Sequence, residues 1–80
     1  MTKQELQDEI ITKIKNIADN QNLTLNQEVL FDEIDEWDSL NTVDLEMELE
    51  SSLNISFETG EFQEYKTIKD LIESIATKVA

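Results

Sequence analysis

The sequence predicts an all-α fold: a bundle of four helices with a short third helix and a long loop between the first and second. Three observations carry the prediction. The 80 residues include one Gly, no Pro and no Cys, so the chain lacks the turn punctuation of an all-β domain and the disulfides that staple small secreted folds. Three stretches place apolar residues at helical spacing, each just after a residue able to cap a helix. The connection between the first two stretches is itself studded with apolar side chains, as expected of a loop held against a bundle. The length allows one domain, residues 1–80, with a small core and a narrow stability margin.

The first helix is expected to start at Thr2-Lys3-Gln4-Glu5, where Thr2 and Glu5 can satisfy each other's free backbone amides as a capping box. Leu6, Ile10, Ile11, Ile14, Ile17 and Ala18 fall within one arc of the helical wheel, with Asp8, Lys15 and Asn16 outside it. That pattern describes an amphipathic helix with one core face. Asn20-Gln21-Asn22 ends it, and residues 23–37 follow as a connection containing Leu23, Leu25, Val29, Leu30, Phe31, Ile34 and Trp37. A loop that long inside a compact domain usually has a function of its own.

Asp38 can cap the second helix, since its carboxylate can accept from first-turn amides at the positive end of the helix dipole. This helix is expected to run to about Leu53. Asn54 to Glu64 holds the single Gly60 with Ile55, Phe57 and Phe62, which suggests a turn and then a helix of only a turn or two. The last helix opens at Thr67, with Asp70 three residues on, and continues through Ile68, Leu71, Ile72, Ile75, Ala76 and Val79 as one apolar stripe.

Charge limits the function. There are 19 acidic and 6 basic residues, a formal net charge of −13, with no Arg and no His. Nucleic-acid binding is thereby disfavoured. No Lys lies between Lys15 and Lys66, so the middle of the chain presents a negative field that attracts basic protein surfaces. Without His, Cys or Arg, the usual nucleophile–base pairs and phosphate clamps cannot be assembled, and the chain is too short to build a cleft around a carboxylate pair. An EF-hand needs a calcium loop of roughly twelve residues with a central Gly. The run from Asp32 to Asp38 has Trp37 at that place. Met1 to Ile10 carries Glu5, Asp8 and Glu9 among its apolar residues, so neither a signal peptide nor a membrane span is expected there, and a soluble, monomeric, cytoplasmic protein is expected, with no membrane insertion.

At about a hundred degrees per residue, the second helix carries two apolar stripes on nearly opposite sides. Leu45, Leu49 and Leu53 form one; Leu40, Val43 and Met47 form the other. Asp44 and Glu48 lie on one flank between them, and Glu46 and Glu50 on the other. Either the helix is central and buried on both sides, or one stripe docks a partner. An apolar strip rimmed by carboxylates suits a basic partner surface that also offers an apolar pocket.

The segment opening Asp38-Ser39-Leu40, followed by Val43, Leu45, Met47, Leu49 and Leu53, resembles the second helix of acyl carrier proteins. The similarity extends across nearly the whole chain, to a last helix opening Thr67-Ile68. The resemblance implies that Ser39 is the attachment point for 4′-phosphopantetheine, transferred from coenzyme A by a separate phosphopantetheinyl transferase with Mg²⁺, and that Asp38 supports that chemistry. An exposed Ser at a helix start suits a phosphodiester. A capping role is the plainer alternative for either residue. The implied protein is a carrier and not an enzyme. It would hold acyl or aminoacyl groups as thioesters in fatty-acid, polyketide or related biosynthesis, with Leu40, Val43, Asp44, Glu46, Met47 and Glu48 meeting the transferase and the acyl-loading and acyl-transfer enzymes. A D-alanyl or aminoacyl carrier is the alternative within the family, and an acidic binding or inhibitor domain the alternative outside it. The chain departs from the pattern at Glu36, where family members often have Gly. Trp37 beside the motif resembles carriers outside housekeeping fatty-acid synthesis.

Overall fold

The computed structural model describes residues 2–79. It contains α1 (Lys3–Ile17), a 3-10 turn at Phe31–Glu33, α2 (Ser39–Leu53), a second 3-10 turn at Phe62–Glu64, and α3 (Ile68–Lys78). Among the described residues no strand forms beyond an isolated antiparallel bridge between Leu30 and Thr67. None of these helices is long and apolar enough to cross a membrane.

Each α-helix starts at the residue whose side chain can close its first turn. Thr2 Oγ1 accepts from the Glu5 amide at 3.1 Å while Glu5 Oε1 accepts from the Thr2 amide at 2.8 Å. Thr67 and Asp70 make the same reciprocal pair at 3.1 and 3.2 Å. These boxes satisfy amides that a helix leaves without partners, and Glu5 and Asp70 also lie favourably against the dipole. At its other end α1 closes on Ala18, and Asp19 takes φ 53° as the chain leaves.

One core holds the bundle together. Leu6, Ile10 and Ile14 of α1, Leu45 and Leu49 of α2, and Ile68, Leu71, Ile72 and Ile75 of α3 are buried in it, together with Phe31, Ile34 and Phe62 from the connections. α1 is the hub, packing against both α2 and α3. Its i, i+4 stripe lets one helix face two partners.

The long connection is pinned as its apolar content predicts, with Leu23, Leu25, Val29 and Trp37 packed on the core at partial burial. It is also tied to α3 through the backbone. The Ile68 amide donates to the Val29 carbonyl at 3.1 Å, the Lys69 amide to Gln27 at 2.8 Å, and the Phe31 amide to Lys66 at 2.9 Å. The loop thereby supplies acceptors to first-turn amides of α3 that have none inside the helix.

The expected short third helix takes the form of a 3-10 turn at Phe62–Glu64, so the described residues form three α-helices and two 3-10 turns. Asn54 caps α2 in the left-handed region at φ 55°, and Gly60 turns the chain again at φ 82°. Between Gly60 and Thr67, the cap of α3, residues 61–66 form only the 3-10 turn. The segment is held by aromatic packing instead: Phe57, Phe62 and Tyr65 meet edge to face with centroids 5.1 to 6.3 Å apart, and Lys78 lies 5.1 Å over the Phe57 ring.

Candidate functional site

Asp38 is the N-cap of α2, and Ser39 is the first helical residue. The Asp38 carboxylate accepts from the Asn41 amide at 3.0 Å, and the Asn41 side chain accepts from the Asp38 amide at 3.4 Å. Capping is therefore Asp38's task and not that of Ser39. Ser39 is exposed and lies at the positive end of the α2 dipole, where negative charge is stabilised.

Besides the Asp38–Asn41 cap, Trp37 packs the residues just before Ser39 onto the core. Asp35, Glu36 and Asp38 are exposed and Trp37 is half-buried, stacked on Phe31 with centroids 6.4 Å apart. Its indole Nε1 donates to Thr42 Oγ1 at 3.0 Å. Glu36, at the place where the resembled family often has Gly, takes φ 62°. It keeps the backbone conformation that favours glycine, at the steric cost a side chain carries there.

Ser39 stands on the rim of a concave pocket of about 300 Å³, whose walls include Phe31, Trp37, Val43, Phe62 and Tyr65, with Asp32 and Gln63 as polar lining. A second hollow of about 320 Å³ continues past Asp32 and Tyr65 to Leu30 and Lys66. The surface beside the serine thus mixes aromatic and polar side chains and opens to solvent.

Along α2 the two stripes separate. Leu45 and Leu49 are fully buried and Leu53 packs against the core at partial burial. Leu40 is 74 % exposed, Val43 41 % and Met47 62 %. A helix buried on both sides is therefore excluded. The acidic flanks are unlike each other. Asp44 and Glu48 are exposed, whereas Glu46 is half-buried, and burial, then the nearby Glu50 and Glu61 charges, push its carboxyl above the ordinary range. Glu50 is engaged internally, accepting from the Phe57 amide at 2.9 Å. Of the predicted surface residues, Leu40, Val43, Asp44, Met47 and Glu48 lie open together, and Glu46 sits at their inner edge.

Sequence reasoning missed a polar cluster at the far side of this region. Glu61 accepts from the Tyr65 hydroxyl, from the Glu58 amide at 2.9 Å, and from Lys78, which it pairs with at 3.0 Å. These contacts, the Tyr65 hydroxyl foremost, hold its carboxyl at a pKa of about 2. Tyr65 also bonds to Ser74. The cluster fastens the segment after α2 onto α3. Only the Glu61–Tyr65 spacing hinted at it, because Ser74 and Lys78 come from another helix.

No family model matches the chain, and no curated protein matches it. Among solved structures, it is similar to the solution NMR structure of a holo acyl carrier protein from Geobacter metallireducens. The two are 30 % identical, with a TM-score of 0.80, over 91 % of this chain and 84 % of that one.

Proposed function

The chain belongs to the acyl carrier protein family, and from that premise we propose that it carries acyl or aminoacyl groups as thioesters on a 4′-phosphopantetheine arm attached to Ser39. The carrying observation is the division of labour at the start of α2. Asp38 closes the helix, which leaves the exposed Ser39 hydroxyl available at the dipole's positive end.

In this reading the chain is the substrate of a separate transferase. Ser39 Oγ bonds to the β-phosphorus of coenzyme A as the bond from that phosphorus to adenosine 3′,5′-bisphosphate breaks, and the serine proton passes to a base outside this chain. First-turn amides and the dipole of α2 stabilise the resulting phosphodiester. In this reading Asp38 supports the transferase's Mg²⁺ through its second carboxylate oxygen, which the cap does not use. The attached arm supplies a terminal thiol that holds the cargo.

Leu40, Val43 and Met47, with Asp44, Glu48 and the edge of Glu46, form the docking strip. Exposed apolar side chains set in a negative field support a basic partner surface with an apolar pocket. The partners are the transferase and the acyl-loading and acyl-transfer enzymes of fatty-acid, polyketide or related biosynthesis, with the carrier acting as a cytoplasmic monomer.

The test is intact mass after incubation with coenzyme A, Mg²⁺ and a broad-specificity phosphopantetheinyl transferase. Wild type should gain one phosphopantetheinyl group and Ser39→Ala none, with the melting temperature of the variant nearly unchanged because Ser39 does not cap the helix. Modification of Ser39→Ala, or an unmodified wild type with several transferases, would overturn the assignment.

A further inference from the structure

The Trp37 indole and the Thr42 hydroxyl join the loop to α2 at the residue immediately before Ser39. Thr42 Oγ1 accepts from Trp37 Nε1 at 3.0 Å and donates to the Asp38 carbonyl at 3.3 Å, while the Thr42 amide donates to that same carbonyl at 3.1 Å. A hydroxyl has one proton and two lone pairs. Donating to Asp38 and accepting from Trp37 therefore uses one consistent orientation.

The Asp38 carbonyl lies in the same rigid peptide plane as the Ser39 nitrogen and Cα. Two donors on that oxygen fix the plane, and with it the direction in which Ser39 leaves the backbone. Asn41 holds the Asp38 amide and carboxylate, and the Thr42 bonds hold its carbonyl. Asp35, Glu36, Asp38, Ser39 and Leu40 are all exposed, and Trp37 is the side chain that anchors this stretch, by stacking on Phe31. Trp37 and Thr42 also line the pocket on whose rim Ser39 stands, so the latch borders the space that an incoming substrate must approach.

We propose that Trp37 and Thr42 are positioning residues for modification of Ser39: their hydrogen bond orients the Asp38–Ser39 peptide so that the Ser39 hydroxyl meets its phosphoryl donor in a productive direction. This rests on Ser39 being the attachment site. Neither residue touches the reacting atoms. The helix cap itself is made by Asp38 and Asn41 and survives loss of the latch, so the effect is on orientation and not on whether α2 forms. Small displacements of a reacting group lower the rate of a step without weakening the encounter.

Four variants test this in the coenzyme A and transferase reaction, followed by intact mass. Trp37→Phe keeps the ring on Phe31 but removes the N–H, and Thr42→Val keeps the shape but removes the hydroxyl. Each should lower kcat about tenfold with KM changed by less than about twofold. Thr42→Ser retains the oxygen and should stay near wild type. The Trp37→Phe/Thr42→Val double variant should fall no further than Thr42→Val alone, because the valine already removes both the acceptor for the indole and the donor to Asp38. As a readout independent of the transferase, the amide of residue 42 should exchange its hydrogen faster in Trp37→Phe, while that of Leu49 in the core keeps its wild-type protection. Wild-type kcat in Trp37→Phe and Thr42→Val overturns the proposal. So does a loss in Thr42→Ser equal to that in Thr42→Val, or a rate loss that merely tracks the unfolded fraction with amide exchange at residue 42 unchanged. An unmodified wild type removes the Ser39 assignment itself, and this inference with it.

Discussion

Replacing Leu49 with Ala and Met47 with Ser probes two side chains only two residues apart on α2 but on opposite faces. Leu49 is fully buried in the core, so its truncation loses the transfer energy of the removed methyls and leaves a cavity, costing about 2–5 kcal/mol. A domain of this size holds about 4–12 kcal/mol in all. The variant therefore gives up a large share of its stability, and its melting temperature should fall by about 8–40 °C, at about 4–8 °C per kcal/mol. Met47 is 62 % exposed, so Met47→Ser should stay within about 0.5 kcal/mol of wild type, a change of no more than about 4 °C. Its effect should appear in docking, as a fall of about tenfold in kcat/KM for the transferase, equivalent to losing ~1.4 kcal/mol of contact. Thermal melts and transferase kinetics on both variants make the comparison. The two-face reasoning is refuted if Met47→Ser melts the protein as badly as Leu49→Ala while the folded fraction is modified at the wild-type rate.

Two further outcomes follow from the backbone and the charge network. Glu36→Gly should stabilise the fold by about 0.5–1 kcal/mol in denaturant titration, because relief of left-handed strain at φ 62°, about 1–2 kcal/mol, exceeds the entropy a new glycine adds to the unfolded chain; a lower midpoint would show that the strain argument fails. Glu61, with a folded pKa of about 2 against an ordinary 4.5, contributes stability that is present above pH 4.5 and lost as pH falls from there through 2. Glu61→Gln should melt lower than wild type at pH 7, and the gap between them should close across that window. A gap that persists unchanged at pH 2 would assign the effect to packing instead.

The division between what the sequence determined and what tertiary structure decided follows the range of the interactions. Helix starts at Thr2, Asp38 and Thr67 depend on a side chain meeting a backbone amide three residues away, so they are written in neighbouring letters. The Leu6, Ile10, Ile14 stripe and the Ile68, Leu71, Ile72, Ile75 stripe are equally local, since helical geometry alone puts those residues on one face. The same geometry split α2 into its Leu45–Leu49 face and its Leu40–Val43–Met47 face, and the Asp-Ser-Leu triplet marked where the site begins. The structure chose between two readings that periodicity left open, burying one stripe and exposing the other, because α1 packs on a single side of α2. The expected short third helix is present as one 3-10 turn at Phe62–Glu64, and edge-to-face aromatic contacts, which a local reading does not show, hold that segment. The loop before α2 was least legible. Its carbonyls at Gln27 and Val29 serve amides of α3 far along the chain, and a local reading cannot see such partners. The Glu61, Tyr65, Ser74 and Lys78 cluster was hidden likewise. Hydrogen-bond partners drawn from separate segments come together only when the core has already closed, so their pairing belongs to the tertiary structure.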